Sequence, residues 1–198
     1  MAEPPPKDRP LPLFAWFEAR RAERERTARA RLRLGRYAAL IGTGIAGLGL
    51  TVAWPPLPRL IWNASASAPI GLYAVSPGIT PARGDMVIAR LPAEARELAA
   101  RRRYLPRNVP LVKRVAAVAG DTICAAGRTV TVNGKAVAER RGADAAGRSL
   151  PTWQGCVRLA RGMVFLLMAE APDSFDGRYF GPTRARDVIG KATPLWLR

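Results

Sequence analysis

From Tyr37 to Trp54 the chain carries no charged residue and is built mainly of Ala, Gly, Leu and Ile. Coiled into an α-helix, this stretch is ~27 Å long, close to the ~30 Å hydrocarbon thickness of a bilayer. Trp54 and Trp62 follow, and Pro55, Pro56 and Pro58 stop the helix. Ten Lys and Arg against five Asp and Glu precede the stretch. The positive-inside rule then puts the N-terminal side in the cytoplasm and everything after Pro55 outside. The competing reading is a cleaved signal sequence, because Ala64-Ser65-Ala66 has the form of an A-x-A cleavage site. That site lies well past the apolar run, beyond three prolines and Arg59. A third reading, a buried core helix of a soluble protein, sits poorly with the arginine run beside it. The expected organisation is a basic cytoplasmic segment (1–36), a single transmembrane anchor (37–54) and an extracytoplasmic domain (55–198).

Residues 1–12 are rich in proline and charge and are expected to be disordered. From Leu13 to Arg36 the chain turns to helix formers dense in arginine, relieved by Glu18, Glu23 and Glu25. Leu13, Phe14, Trp16 and Phe17 either sit at a lipid interface beside that charge or belong to a solvated charged helix.

The 198 residues carry a formal charge of +17 and no histidine. The missing imidazole excludes Ser-His-Asp and Cys-His catalysis, histidine zinc sites and histidine pH switches. Positive charge suits nucleic acid, anionic lipid or simple solubility. No helix-turn-helix, zinc finger or RNA-binding aromatic pattern is present, so no nucleic-acid partner is expected. Nearly all the cations are arginine; the lysines are Lys7, Lys113, Lys135 and Lys191. An arginine cannot be deprotonated in a protein, whereas a buried lysine can.

After the apolar run the pattern turns to short strands. Gly71 to Val75 reads as extended, Ser76-Pro77-Gly78 as a turn, and Gly84-Asp85 as a second turn into Met86 to Ala89. An excursion from Pro92 to Pro110 holds a helix near Ala93 to Arg103, and Leu111 to Val118 returns as a strand. Asn133-Gly134 between Arg128–Val132 and Lys135–Val137 is a hairpin signal. Gly142 to Gly155 is expected to be a mobile loop. Val164 to Met168 is a buried strand, and Val188 to Ala192 begins the closing one. The domain is therefore mainly β.

Ser67 and Lys113 are the candidate chemistry. A serine hydroxyl is a poor nucleophile until a base takes its proton, and without histidine a neutral lysine can serve. Bringing a lysine from near 10.4 to about 7 means destabilising the ammonium by roughly 4 kcal/mol, which desolvation can supply. Lys113 stands between Val112 and Val115 in an apolar strand, with Arg114 on the opposite face adding repulsion. The alternative is a lysine on a solvated strand face.

Ser67-Ala68-Pro69-Ile70-Gly71-Leu72-Tyr73, Gly84-Asp85, Lys113-Arg114-Val115, Gly120-Asp121 and Ser174-Phe175-Asp176-Gly177-Arg178-Tyr179-Phe180-Gly181 resemble, in order, the boxes of the Ser–Lys type I signal peptidases. Ile189-Gly190-Lys191-Ala192 is similar to that family's closing strand. The Ser-x-Pro-x-Gly-Leu-Tyr form and the compact segment 175–182 resemble the TraF-type conjugative-transfer branch, as does Tyr104-Leu105-Pro106 ahead of Val109-Pro110-Leu111. The resemblance implies a signal-peptidase-like β domain behind a single transmembrane helix. It implies Ser67 as nucleophile, Lys113 as general base, and Ser65 as a hydroxyl that joins the Ser67 N–H in an oxyanion hole. It also implies Ser174 as the hydroxyl orienting the lysine, and Asp176 with Arg178 as a supporting ion pair. For that pair a turn-bracing salt bridge stands as the structural alternative. In the TraF branch an acidic residue here is tied to cyclising pilin, and Asp176 is the candidate. Lys191 matches the closing strand rather than the base. The family's Gly and Pro before the second Gly-Asp are Ala117 and Ala119 here, a departure in the turn after Lys113.

Cys124 and Cys156 form a candidate disulfide, since paired cysteines outside the cytoplasm are commonly bridged. The implied function is a membrane-anchored serine endopeptidase of the bacterial inner membrane, its domain periplasmic, that cuts signal sequences of exported precursors and matures conjugative pilin. No cofactor or metal is expected. The expected partners are a precursor protein, the lipid bilayer and conjugation machinery. Alternatives are a general type I signal peptidase and a non-catalytic membrane scaffold; an autocleaving regulator would want a DNA-binding domain, and none is seen.

Overall fold

The computed structural model describes residues 12–54 and 57–198. The disorder expected of residues 1–12 and the helix stop at Pro55 and Pro56 fall outside them, apart from Pro12. The interface reading of Leu13 and Phe14 concerns side chains that also lie outside. Two units divide after Pro56.

The first unit is α1 (Pro12–Ala53), 42 residues long. The arginine-dense and apolar stretches form one uninterrupted helix, which begins at a proline because that position needs no N–H. Leu40, Ile41, Ile45, Leu48, Leu50 and Val52 are all exposed. Among the described residues, nothing outside the helix's own nearby backbone lies within 4 Å of a Cβ added at Gly42, Gly44, Gly47 or Gly49. A helix this apolar on all of its faces is suited to lipid. The Thr51 hydroxyl donates back to the Leu48 carbonyl at 2.8 Å, so its polarity is satisfied inside the helix. Among the described residues one helix is thus long and apolar enough to cross a membrane, and it lies near the N-terminus.

The second unit is mainly β, as its alternating sequence implies. Its larger sheet is antiparallel and contains β1 (Leu60–Asn63), β2 (Gly71–Pro77), β3 (Met86–Ala89), β4 (Leu111–Ala117), β9 (Met163–Leu167), β10 (Thr183–Arg184) and β11 (Val188–Leu197). The spatial order is β1-β2-β11-β3-β4-β9-β10. A second antiparallel sheet holds β5 (Thr122–Ala126), β6 (Thr129–Val132), β7 (Lys135–Glu139) and β8 (Gly155–Arg158), in the order β7-β6-β5-β8. Asn133 (φ 51) and Gly134 (φ 78) turn β6 into β7 with the left-handed pair a tight hairpin needs. Cys124 and Cys156 face each other across β5 and β8 and are disulfide-bonded.

Three apolar clusters hold the domain. Ala95 and Ala99 of α2 (Ala93–Arg101) pack on Val87, Ala89, Leu111, Val115 and Val164. Ala68, Tyr73, Ile88, Val112 and Ile189 form a second cluster, so the 64–70 loop is anchored by its own buried alanine. Ile123, Val130, Leu159 and Phe165 join the two sheets. At Gly71 a Cβ would stand 2.1 Å from the Trp196 carbonyl oxygen, so only glycine lets β11 pair here. The 142–155 segment is not the free loop its glycines suggest. Asp144 accepts from the Arg148 guanidinium, from the backbone N–H groups of Ala146 and Arg148, and from the Tyr104 hydroxyl, which fastens the segment to the 92–110 excursion.

Candidate active site

β1 and β2 pair with Asn63 opposite Gly71, so residues 64–70 are the closed end of a hairpin. That loop presents Ser65, which is exposed, and Ser67, which is half-buried. Lys113 lies in the middle of β4, whose first three residues are all buried. The structure brings the two together: Lys113 Nζ donates to Ser67 Oγ at 2.7 Å.

Lys113 is 2% exposed. Burial pushes its amine down from 10.5 to about 8; the negative charge of Asp176 opposes the shift and the positive charge of Arg178 adds to it. The cation felt by the amine is therefore Arg178, not the neighbouring Arg114. Arg114 is exposed and donates to the Gly84 carbonyl at 3.1 Å. Near pH 8 a large share of the molecules carry a neutral amine in contact with a hydroxyl, which can accept the serine proton as Oγ attacks a carbonyl.

The two serine hydroxyls are 2.9 Å apart, and the Ser67 N–H donates to Ser65 Oγ at 3.3 Å. The Ser67 N–H and the Ser65 hydroxyl are thus engaged with each other beside Ser67 Oγ.

Asp176 caps α3 (Gly177–Phe180) and is fully buried. Its carboxylate accepts from Arg178 Nε at 2.8 Å and Nη2 at 2.9 Å, and from the Met168 N–H at 3.1 Å. Arg178 donates further to the carbonyls of Met168, Ala171, Pro172 and Glu139. A guanidinium with this many acceptors braces the 168–180 segment behind the lysine. The pair is both an ion pair and a brace, which the sequence offered as alternatives. Ser174 Oγ, although buried, has no hydrogen-bond partner among the described residues. Lys191 sits apart from the site and pairs with Asp85 at 2.7 Å. The disulfide lies in the other sheet.

A cavity of about 880 Å³ opens from Ser67. Its lining includes Ile61, Leu91, Leu105, Val109, Leu111 and Phe175, with Arg141, Asp144 and Asp173 also contributing. Among the described residues no group of three or more His, Cys, Asp or Glu is disposed to hold a metal ion. Sequence reasoning missed Asn63, whose side chain makes four hydrogen bonds within the serine loop. Its place as the last residue before a small-residue loop was the one available signal.

The chain is 36% identical to the plasmid transfer protein TraF of Escherichia coli over 88 residues, 43% of this chain and 50% of that protein. It therefore spans about half the length of that relative. It is 33% identical to the conjugal transfer protein TraF of Agrobacterium fabrum (strain C58 / ATCC 33970) over 144 residues, 68% of this chain and 80% of that one. Signal peptidase I V of Bacillus subtilis (strain 168) is 33% identical over 95 residues, 43% of this chain and 56% of the relative. Residues 32–197 match one family throughout, covering the end of α1, the serine hairpin and the lysine strand alike, and on that match the chain belongs to the signal peptidase, peptidase S26, family.

Proposed function

We propose that the chain is a membrane-anchored serine endopeptidase in which Ser67 is the nucleophile and Lys113 its general base. The observation that carries this is the buried, depressed amine of Lys113 at 2.7 Å from Ser67 Oγ. Lys113 accepts the hydroxyl proton as Oγ bonds to the scissile carbonyl carbon. The negative oxygen is held by the Ser67 N–H and the Ser65 hydroxyl. Lys113 then gives its proton to the departing amine, which leaves Ser67 acylated. Water, deprotonated by the same amine, releases the new carboxyl end and restores the serine. Asp176 and Arg178 support the lysine from behind, and the Ser174 hydroxyl is free to orient it.

The substrate is an extended segment of an exported precursor. β1 ends its sheet, and β9 pairs with β4 only from Arg114 onward, so strand edges flank the cavity beside Leu111 to Lys113. A peptide laid between them gains backbone hydrogen bonds on both sides. Residues 37–54 form the anchor, residues 1–36 lie in the cytoplasm, and residues 55–198 are the periplasmic catalytic domain at the inner membrane. Relatives named for plasmid and conjugal transfer support a place in conjugation, with a pilin precursor as substrate. The relative named signal peptidase I V supports the second reading, a general signal peptidase.

Co-expression with candidate pilin precursors and with ordinary secreted precursors tests both readings by the mass of the product. Cleavage of the pilin precursor alone supports the first, and cleavage of both supports the second. If Ser67→Ala and Lys113→Ala variants process as well as wild type, the chain is a scaffold instead.

A further inference from the structure

The turn that carries Ser67 lacks regular backbone pairing across most of its length. Beside the buried Ala68 and the bond from the Ala68 N–H to the Ser65 carbonyl at 3.4 Å, one side chain holds its shape. Asn63, the last residue of β1, is 6% exposed, and its carboxamide lies inside the loop. Asn63 Oδ1 accepts the Ser65 N–H at 3.1 Å. The two hydrogens of Asn63 Nδ2 are shared among the carbonyls of Ser65 at 3.0 Å, Ala68 at 3.1 Å and Pro69 at 3.0 Å. Both peptide groups of Ser65 are therefore held by the same amide, and so are two carbonyls just after Ser67. The Pro69 carbonyl is held a second time by the Tyr73 hydroxyl at 2.7 Å.

We infer that Asn63 is a positioning residue for the reaction, bracketing Ser67 so that its N–H and the Ser65 hydroxyl meet the same developing oxyanion. This rests on the peptidase reading above. Ser65 is a small, exposed residue whose hydroxyl has three staggered positions open to it. Only a fixed backbone keeps that hydroxyl at 2.9 Å from Ser67 Oγ and 3.3 Å from the Ser67 N–H. Donors to an oxyanion act through preorganisation, so a turn loosened by a fraction of an ångström loses rate before it loses substrate binding. No other uncharged side chain supplies both halves in the right sizes. Leucine has the shape without the bonds, and aspartate sets a carboxylate against three carbonyl oxygens.

The test uses the full chain in detergent or bilayers and a precursor that the wild type cleaves. Asn63→Ala is expected to lower kcat 10- to 100-fold, with KM within threefold and the rate still rising through the wild-type midpoint pH, because Lys113 is untouched. Ser65→Ala is expected to lower kcat by a similar factor, and the double variant by less than the product of the two single effects, since part of what Asn63 does runs through Ser65. Amide exchange at residues 64–68 is expected to quicken in Asn63→Ala and nowhere else in the domain. Unchanged kcat, a loss carried by KM, multiplying single effects, or unchanged exchange would overturn the inference. Should Asn63→Ala not fold, Asn63→Asp keeps the shape and the Ser65 N–H bond while losing the donor, and wild-type kcat in that variant overturns it equally. A wild-type chain that is folded and inert towards every precursor sinks the peptidase reading, and the exchange experiment then judges the clamp by itself.

Discussion

Lys113 Nζ meets Ser67 Oγ across 46 residues of sequence, at 2.7 Å. One group comes from the closed end of a hairpin, the other from the middle of β4. The hairpin delivers Ser67 because Ala68 is buried against Val112, the residue beside Lys113. That packing and the Asn63 hydrogen bonds together set the contact on which the chemistry depends.

Burial of an amine costs stability, and Lys113→Met should return it. The folded pKa of about 8 lies below the ordinary 10.5. Between those values the unfolded chain binds a proton that the folded chain does not, so stability rises with pH across that window and is lost as pH falls through about 8. The difference corresponds to about 3 kcal/mol. Lys113→Met should therefore be more stable than wild type at pH 7, by about 1–3 kcal/mol, and should cleave nothing. Urea melts at pH 7 and pH 10 check this, with the advantage shrinking at the higher pH.

Asp176→Asn should act in the opposite sense on stability. It leaves Arg178, buried in the domain, facing a neutral amide, a loss of about 3–5 kcal/mol by analogy with broken buried pairs. It should also move the activity profile. Asp176 holds the Lys113 amine up against burial, so its removal lowers the midpoint of any remaining activity below that of wild type. A pH–rate profile of the variant reads the shift, and a midpoint that rises or stays contradicts the coupling.

Ser174→Ala separates a structural hydroxyl from a functional one. Its Oγ is buried with no partner among the described residues, which is unfavourable by about 1–3 kcal/mol. The alanine variant should be as stable as wild type or more so, and its kcat should fall at least tenfold if the hydroxyl turns to Lys113 during the reaction. Thermal melting and single-turnover cleavage measure the two effects separately.

Much of this was readable before any coordinates. The absence of histidine leaves four lysines as candidate bases, the resemblance to the signal-peptidase boxes picks Lys113 among them, and the apolar run announces α1. Asn133-Gly134 announces its turn, because few residue pairs adopt two positive φ values. Other parts carried no local signal. β1 is four residues long and closely follows three prolines, so only its pairing with β2 makes it a strand. The 142–155 segment reads as loose because glycine content is local, whereas Asp144 is held by Tyr104, 40 residues earlier. Asn63 looks like an ordinary turn residue until its four partners are seen. The effect of Arg178 on Lys113, in place of that expected from Arg114, depends on which face of β4 the tertiary fold covers.

The most direct measurement is the rate of single-turnover precursor cleavage by the intact chain between pH 6 and pH 10, for wild type, Ser67→Ala and Lys113→Met. The wild-type rate should climb about tenfold per pH unit at the acid end, bend near pH 8 where Lys113 loses its proton, and then level. Both variants should be inactive throughout. A flat wild-type profile, or cleavage by either variant at a rate near that of wild type, contradicts a Ser67–Lys113 pair as the catalyst.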